Sequence, residues 1–336
     1  MAGLPRTVSG RFYSALLLLL AAAPWIIQWI DQPFFLDLLS RALILAIAAI
    51  SLNLILGFGG MVSLGHAAFI GIGAYCVGIP GNYDIYSGWV HLALTVVVSA
   101  AFALVTGAVS LRTKGVYFIM ITLAFSQMVY FTFVSLEEYG GDDGLVIYLR
   151  SEFPSFMTMD GPVALYYWIF GTLLVSLLLV HRLVHARFGR VIVGSKYNEE
   201  RMQSLGFNTY RYRLVCYMIS AMMCSLAGML LGNFTSFISP DMIGWARSGE
   251  LIFMVIINWQ LALIMLFVMP TLVIIASVFK RHILVEFRRA RKLNSKLTGV
   301  YNENITGVRV VKALTREEKN LEEFDGMATS LYRASY

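Results

Sequence analysis

Apolar residues run along this chain in long blocks parted by short polar connections, and block length is the first feature that decides its class. A stretch of roughly 17 to 25 mostly apolar residues fits the hydrocarbon core of a bilayer as a helix. Eight such blocks occur, near residues 12–30, 38–57, 61–80, 89–111, 115–136, 164–182, 212–237 and 258–280. The pattern predicts an all-α, polytopic integral membrane protein with about eight transmembrane helices, which puts both termini on one side. The first block shares features with a secretory signal, since Arg6 and Arg11 precede Leu16 to Leu20 and Ala21 to Ala23 offers a small-residue cleavage site. Pro24 and apolar residues continuing to Ile30 favour an uncleaved span.

Composition sharpens this picture. Of 336 residues, 58% are hydrophobic and 14% charged, against about 25% charged in soluble domains. A soluble enzyme, a secreted disulfide scaffold and a disordered protein are thereby excluded. Charge also orients the spans. The 181–213 connection carries seven Lys/Arg against two acids, whereas 137–163 carries six acids against Arg150 alone. The basic connection belongs in the cytoplasm; counting outward places Arg6, Arg11, the Arg112/Lys114 turn and the tail from Lys280 there too. Most of the net charge of +6 lies in that tail. A basic tail on an apolar body suits membrane lipid or a protein partner, not nucleic acid.

The third block, GFGGMVSLGHAAFIGIGAYCVGI, holds glycines at 57, 59, 60, 65, 71, 73 and 78. Two readings follow: small residues that let helices approach closely, or a broken helix lining a polar path. Gly57, Gly60, Ser63, Gly65 and His66 are the candidate path residues. Ser63 and His66, three apart, would share a helical face and offer a hydroxyl and an imidazole to a permeant; an interhelical hydrogen bond is the simpler role for His66. An intramembrane hydrolase is disfavoured, because both residues sit on one segment and G-x-S-x-G is absent. His181 and His185 are four apart without H-E-x-x-H, so no zinc site is expected. Asp142 and Asp143 in GGDDG read as a solvated outer loop. Cys76, Cys216 and Cys224 read as small buried apolar residues, with 216 and 224 too far apart to bridge within one helix. No G-x-x-x-x-G-K-[ST] occurs, so the chain binds no cofactor itself and does not cradle ATP phosphates.

The inner connection, FGRVIVGSKYNEERMQSLGFNTYRYR, is too long and patterned for a simple turn. Asn198 can cap a short helix, Glu199 and Glu200 suit its first turn, and Gly206 can end it. Such a helix across the membrane face would let a partner push on the spans.

Four stretches carry a resemblance to the permease subunits of branched-chain amino acid ABC importers. They are SLNLILGFGGMVSLGHAAFIGIGAY (51–75); LRTKGVYFIMITLAFSQM (111–128) with GGDDGL (140–145); RFGRVIVGSKYNEERMQSLGFNTYRYRL (187–214); and ISAMMCSLAGMLLGNFTSFISPDMIGWARSGELIFMVI (219–256). Together they cover most of residues 40–256. The resemblance implies a non-enzymatic transport subunit of a bacterial plasma (inner) membrane. It also implies cytoplasmic ABC ATPase subunits that use the ATP, a second permease subunit, and a periplasmic or extracellular amino-acid-binding protein. Asn198, Glu199, Glu200 and Gly206 fall where such permeases present a coupling helix to the ATPase.

From about residue 254 the chain resembles a different family, the transmembrane domain of exporter-type ABC proteins. Asn258 to Leu263, Pro270, Glu303 and Gly307 to Lys312 carry the match. Glu303, Gly307, Arg309 and Lys312 then mark a second candidate coupling segment. A helix from Trp259 to Asn304 would run about 69 Å, over twice the membrane core of about 30 Å, and so project into the cytoplasm. Leu284, Phe287, Leu293, Leu297, Val300 and Tyr301 would give it an apolar stripe. A basic amphipathic segment lying on anionic lipid is the other reading of this tail. The expected organisation is residues 1–256 as an importer-type permease domain, incomplete at its C-terminal end, and 257–336 as a fragment of an exporter-type domain. ELIFMVIINWQLA (250–262) joins the two without a Gly/Pro/Ser-rich spacer. The chain therefore reads either as a branched-chain amino acid permease subunit, as an inactive hybrid from recombination or a faulty gene join, or as an exporter-type fragment.

Overall fold

The computed structural model describes residues 17–25, 27–28, 33–153, 159, 161–256 and scattered positions between 291 and 329. The chain divides into two compact units, residues 1–257 and 258–336. In the second, the described positions are helical. Glu303, Gly307, Arg309 and Lys312, and the predicted span 258–280, lie outside the described residues, as do all six positions of the proposed apolar stripe.

In the first unit residues 17–25 are helical, followed by α1 (Pro33–Asn53), which widens into a π-turn at Leu54–Phe58. Then come α2 (Ala67–Gly81), α3 (Gly88–Ser110), α4 (Val116–Ser135) and α5 (Pro162–His185). At one end of the bundle lie the short α6 (Arg187–Tyr197) and α7 (Glu199–Ser204), followed by the long α8 (Thr209–Thr235) and by α9 (Trp245–Ile256). A two-residue antiparallel ladder joins β1 (Leu145–Val146) to β2 (Phe237–Ile238) at the other end. There Gly140, Gly141 and Gly144 all adopt positive φ, and Asp142 and Asp143 are exposed.

Among the described residues five helices are long and apolar enough to cross a membrane: Phe34–Phe58, Gly88–Ser110, Val116–Ser135, Pro162–His185 and Thr209–Thr235. Each coincides with an apolar block. Exposed Val97, Leu104 and Val105 on α3, and Met120, Met128 and Phe131 on α4, make an apolar outer surface that suits lipid rather than water. Among the described residues the protein is thus all-α apart from a minimal ladder and one isolated bridge, and it is multi-pass.

The predicted span 61–80 is corrected by the structure: residues 59–66 are not helical, and α2 is a shorter apolar helix of 15 residues. Main-chain bonds explain the break. The amides of Gly60 and Met61 turn back to the carbonyls of Leu56 and Ile55, and Gly60 then takes φ +69°, which only glycine adopts without strain.

The core forms around α8, the most enclosed of the span-length helices, against α1, α2 and α3. Its side toward α2 carries Ala221, Ser225 and Gly228, small enough for backbones to touch. A Cβ at Gly73 would strike the Ser225 carbonyl, and one at Gly228 the Ile70 carbonyl. The glycine-rich block thus both breaks the helix and lets helices approach closely, in different places: Gly59 and Gly60 shape the break, while Gly73 admits α8.

Candidate functional site

The break between α1 and α2 sits against α8 and α9, lined by buried polar side chains. Ser63 is fully buried, and its hydroxyl accepts from the Gly65 amide at 3.3 Å. His66 is the residue before the first turn of α2 and is also fully buried. Its Nε2 lies 3.0 Å from the Ser51 hydroxyl of α1 and 3.4 Å from the Ser220 hydroxyl of α8. The Ser220 hydroxyl donates to the Ser51 carbonyl, and Cys224 Sγ to the His66 carbonyl. One imidazole thus ties the broken segment to two flanking helices. The expectation that Ser63 and His66 share a helical face is overturned, because residues 59–66 are not helical where a helix was expected. The imidazole Nδ1, the Tyr75 hydroxyl and the Ser225 hydroxyl are buried without a hydrogen-bond partner, so each retains bonding capacity.

Gly65 lies on the Thr122 carbonyl of α4, which leaves no room for a side chain there. The N-terminus of α2 is capped from afar: Ser248 of α9 accepts from the Ala67 amide at 2.9 Å. Ser51, Ser220 and Ser248 carry no sequence signal of their own, since a lone serine in an apolar helix usually bonds back to its own turn.

Gly57 marks the near side of the break. The Asn53 side chain folds over its Cα and fills the place of a Cβ, while its carbonyl accepts from Lys196 Nζ at 2.7 Å. Lys196 stands in the last turn of α6, so this bond links the break to the helices beyond the bundle's end.

Those helices form the second part of the site. The Asn198 side chain accepts from the Arg201 amide at 2.9 Å and caps α7. At the other end the Gly206 amide bonds to the Gln203 carbonyl and the Phe207 amide to the Met202 carbonyl, with Gly206 at φ +86°. That is a Schellman closure, which requires a left-handed residue at this position. Glu199 turns inward: its carboxylate pairs with Lys114 at 2.5 Å and Arg213 at 3.3 Å, and accepts from Thr209 at 3.0 Å. Burial pushes this carboxyl up, but the Lys114 hydrogen bond, the Arg213 charge and the Thr209 hydroxyl outweigh it and hold it below its ordinary value. Arg213 also donates to the Ser195 carbonyl. Glu199 therefore locks α7 to the α3–α4 turn and to α8, whereas Glu200, Tyr197 and Leu205 are exposed.

His181 and His185 lie side by side at the end of α5, with ring centres 4.3 Å apart and planes tilted by 41°. Among the described residues no cluster of three His, Cys, Asp or Glu is placed to hold a metal. Cys216 and Cys224 are buried on one helix, and all three cysteines are free.

Comparison with known proteins gives two family matches. The family described as "Branched-chain amino acid transport system / permease component" matches residues 34–283, and "ABC transporter transmembrane region" matches 248–336. The chain is 27% identical over 270 residues to the high-affinity branched-chain amino acid transport system permease protein LivM of Salmonella typhimurium. That alignment covers 74% of this chain and 63% of the relative. Its likeness to the Escherichia coli protein of the same name is 26% over 275 residues, covering 75% and 64%. A shorter match, 29% over 87 residues, joins 26% of the chain to 14% of the uncharacterized ABC transporter ATP-binding protein YknV of Bacillus subtilis. The chain thus spans less than two thirds of the length of the first two relatives. No solved structure matches it.

Proposed function

The chain belongs to the branched-chain amino acid transport permease family, and from that premise we propose that it is the membrane-spanning permease subunit of an ABC importer for branched-chain amino acids. Separate cytoplasmic ATPase subunits drive it, a second permease subunit completes it, and an external amino-acid-binding protein supplies it; the chain performs no chemistry of its own. The observation that carries the reading is the glycine-built break between α1 and α2, walled by buried polar side chains inside a multi-helix apolar body. A break at the end of a span-length helix offers a partly charged helix end and unpaired polar groups to a zwitterion, while apolar walls suit an aliphatic side chain. Gly57, Gly60 and Gly65 let neighbouring groups close onto the backbone that shapes the path, and Ser63 and His66 supply its hydroxyl and imidazole.

In this reading the helix α7 lies on the cytoplasmic face of a bacterial inner membrane, both termini share that side, and the full count is eight spans. Glu200 and the exposed Tyr197 and Leu205 meet the ATPase, while Glu199 with Asn198 and Gly206 holds the helix in shape. The basic tail, with Glu303, Gly307, Arg309 and Lys312, follows as a cytoplasmic extension and second contact.

Uptake of labelled leucine tests the proposal, in bacterial cells lacking their own importers and supplied with binding-protein and ATPase genes. Uptake above the vector control supports it. Absence of uptake with the chain present in the membrane favours the inactive hybrid. That reading is favoured by one observation: the second family match begins at residue 248, inside α9, so the two matches overlap without a linker. Removal of residues 285–336 separates the exporter-type reading, which demands loss of ATPase association, from the importer reading, which retains it through Glu200.

A further inference from the structure

We infer that Lys196, a residue to which the sequence assigns no role of its own, is a positioning residue that carries movement of α7 into the break between α1 and α2. The π-turn at Leu54–Phe58 closes α1 with its carbonyls facing the end of the bundle, and a helix C-terminus of this kind attracts a cation. Lys196 Nζ supplies that cation, donating to the Gly57 carbonyl across 139 positions of sequence. The lysine stem, on an exposed residue, passes close over Gly60. A Cβ on Gly60 would lie 2.8 Å from Lys196 Cγ and 3.2 Å from Cδ, so the absence of a side chain at Gly60 makes the trough in which the stem lies. Gly60 accordingly has two tasks, the positive φ that breaks the helix and the seat for Lys196.

On its other side Lys196 stands two residues before Asn198, the cap of α7. No flexible linker intervenes, because α6 ends at Tyr197 and α7 begins at Glu199. A push on the exposed face of α7 therefore reaches the Gly57 carbonyl through one side chain. Glu199, anchored to Lys114 and Arg213, is the pivot about which that push acts. The inference deepens the permease reading and rests on it for its functional consequence, whereas its structural part stands without it.

The test uses the full chain in lipid nanodiscs and compares wild type, Lys196→Met and Lys196→Arg by amide hydrogen exchange. Lys196→Met should speed exchange across residues 57–66 about tenfold, the scale expected for loss of one hydrogen bond to a charged group. Exchange in α3 should stay unchanged, and Lys196→Arg should restore protection. In cells, the methionine variant should lower the maximal rate of leucine uptake about tenfold while leaving the half-saturating concentration and ATPase co-purification unaltered. Unchanged exchange at 57–66, failure of arginine to rescue, or loss of α3 protection as well would overturn the inference, the last by showing that the lysine merely holds the bundle together. A wild-type chain that takes up no leucine would overturn the importer reading instead, and the exchange data would still decide the role of Lys196.

Discussion

Replacing Gly228 by alanine should destabilise the protein, and replacing Gly73 as well should lessen the damage. The Cβ added at Gly228 meets the Ile70 carbonyl, with Ile70 Cα at 2.8 Å; the one added at Gly73 meets the Ser225 carbonyl, with its carbon at 2.7 Å. Both obstacles are backbone, so neither yields by a rotamer change. The two contacts run in opposite order along α2 and α8, which makes them the two sides of one antiparallel crossing. Relief of either requires the helices to part by roughly 1 Å, a gap that forfeits about a quarter to a half of each close contact. Over one crossing this costs about 2–3 kcal/mol, the scale of an overpacked core. Alanine returns roughly 0.5–1 kcal/mol by its greater helix propensity, so each single variant should lose about 1.5–2 kcal/mol. In the double variant the same parting relieves both clashes while propensity is gained twice, so its loss should be about 1 kcal/mol. Equilibrium unfolding in mixed micelles followed by circular dichroism gives the three values. Gly171→Ala on α5, whose Cβ would meet nothing within 4 Å, is the control and should gain about 0.5 kcal/mol. A Gly228→Ala variant as stable as wild type would refute the backbone contact, and additive losses would refute the shared crossing.

Three further outcomes are expected. Asn198→Ala removes the cap of α7 and should cost about 1 kcal/mol locally, seen as faster amide exchange at residues 199–204 with the spans unaffected. The Glu199 carboxyl is held below its ordinary value near 4.5, so its contribution is present above that pH and lost as pH falls through the lowered value. The advantage of wild type over Glu199→Gln in resisting proteolysis at 198–208 should accordingly be present at pH 7 and vanish in strong acid; an advantage that persists there would exclude the carboxylate as its source. Ser248→Ala leaves the buried Ala67 amide without its acceptor and should lower stability by about 1–3 kcal/mol, measurable as a fall in Tm.

What could be read from the sequence depended on how far the cause of each feature extended along the chain. The apolar blocks at 89–111, 115–136, 164–182 and 212–237 became α3, α4, α5 and α8 to within three residues at each end, because membrane thickness acts on a local run of residues. The cap, first turn and closing glycine of α7 were legible for the same reason, since Asn198, Arg201, Gln203 and Gly206 bond within the same few positions. The block at 61–80 misled because hydropathy registers apolar surface and not helical geometry. Met61 to Gly65 are as apolar as a helix would be, yet Gly60 has already turned the backbone and Thr122 leaves no space beside Gly65.

Glu199 and Lys196 mark where local reasoning ends. A glutamate in the first turn of a surface helix reads as solvated, but Lys114, Thr209 and Arg213 converge on it from two other elements. A lysine near a helix C-terminus reads as a dipole partner for its own helix, but its proton goes to a carbonyl 139 residues away. Both are charged groups on the same short connection, and both reach back to the bundle, Glu199 half-buried and Lys196 exposed. Such anchors would stabilise any surface helix, and they also meet the requirement of the proposed coupling, since a helix that transmits force needs attachment at more than one point. The anchors differ in kind: Glu199 joins α7 to the rigid α3–α4 turn and α8, while Lys196 ends on a backbone already broken. In the proposed coupling, displacement applied at α7 would be resisted at the first anchor and absorbed at the second, directing it to the segment containing Gly57, Gly60, Ser63, Gly65 and His66.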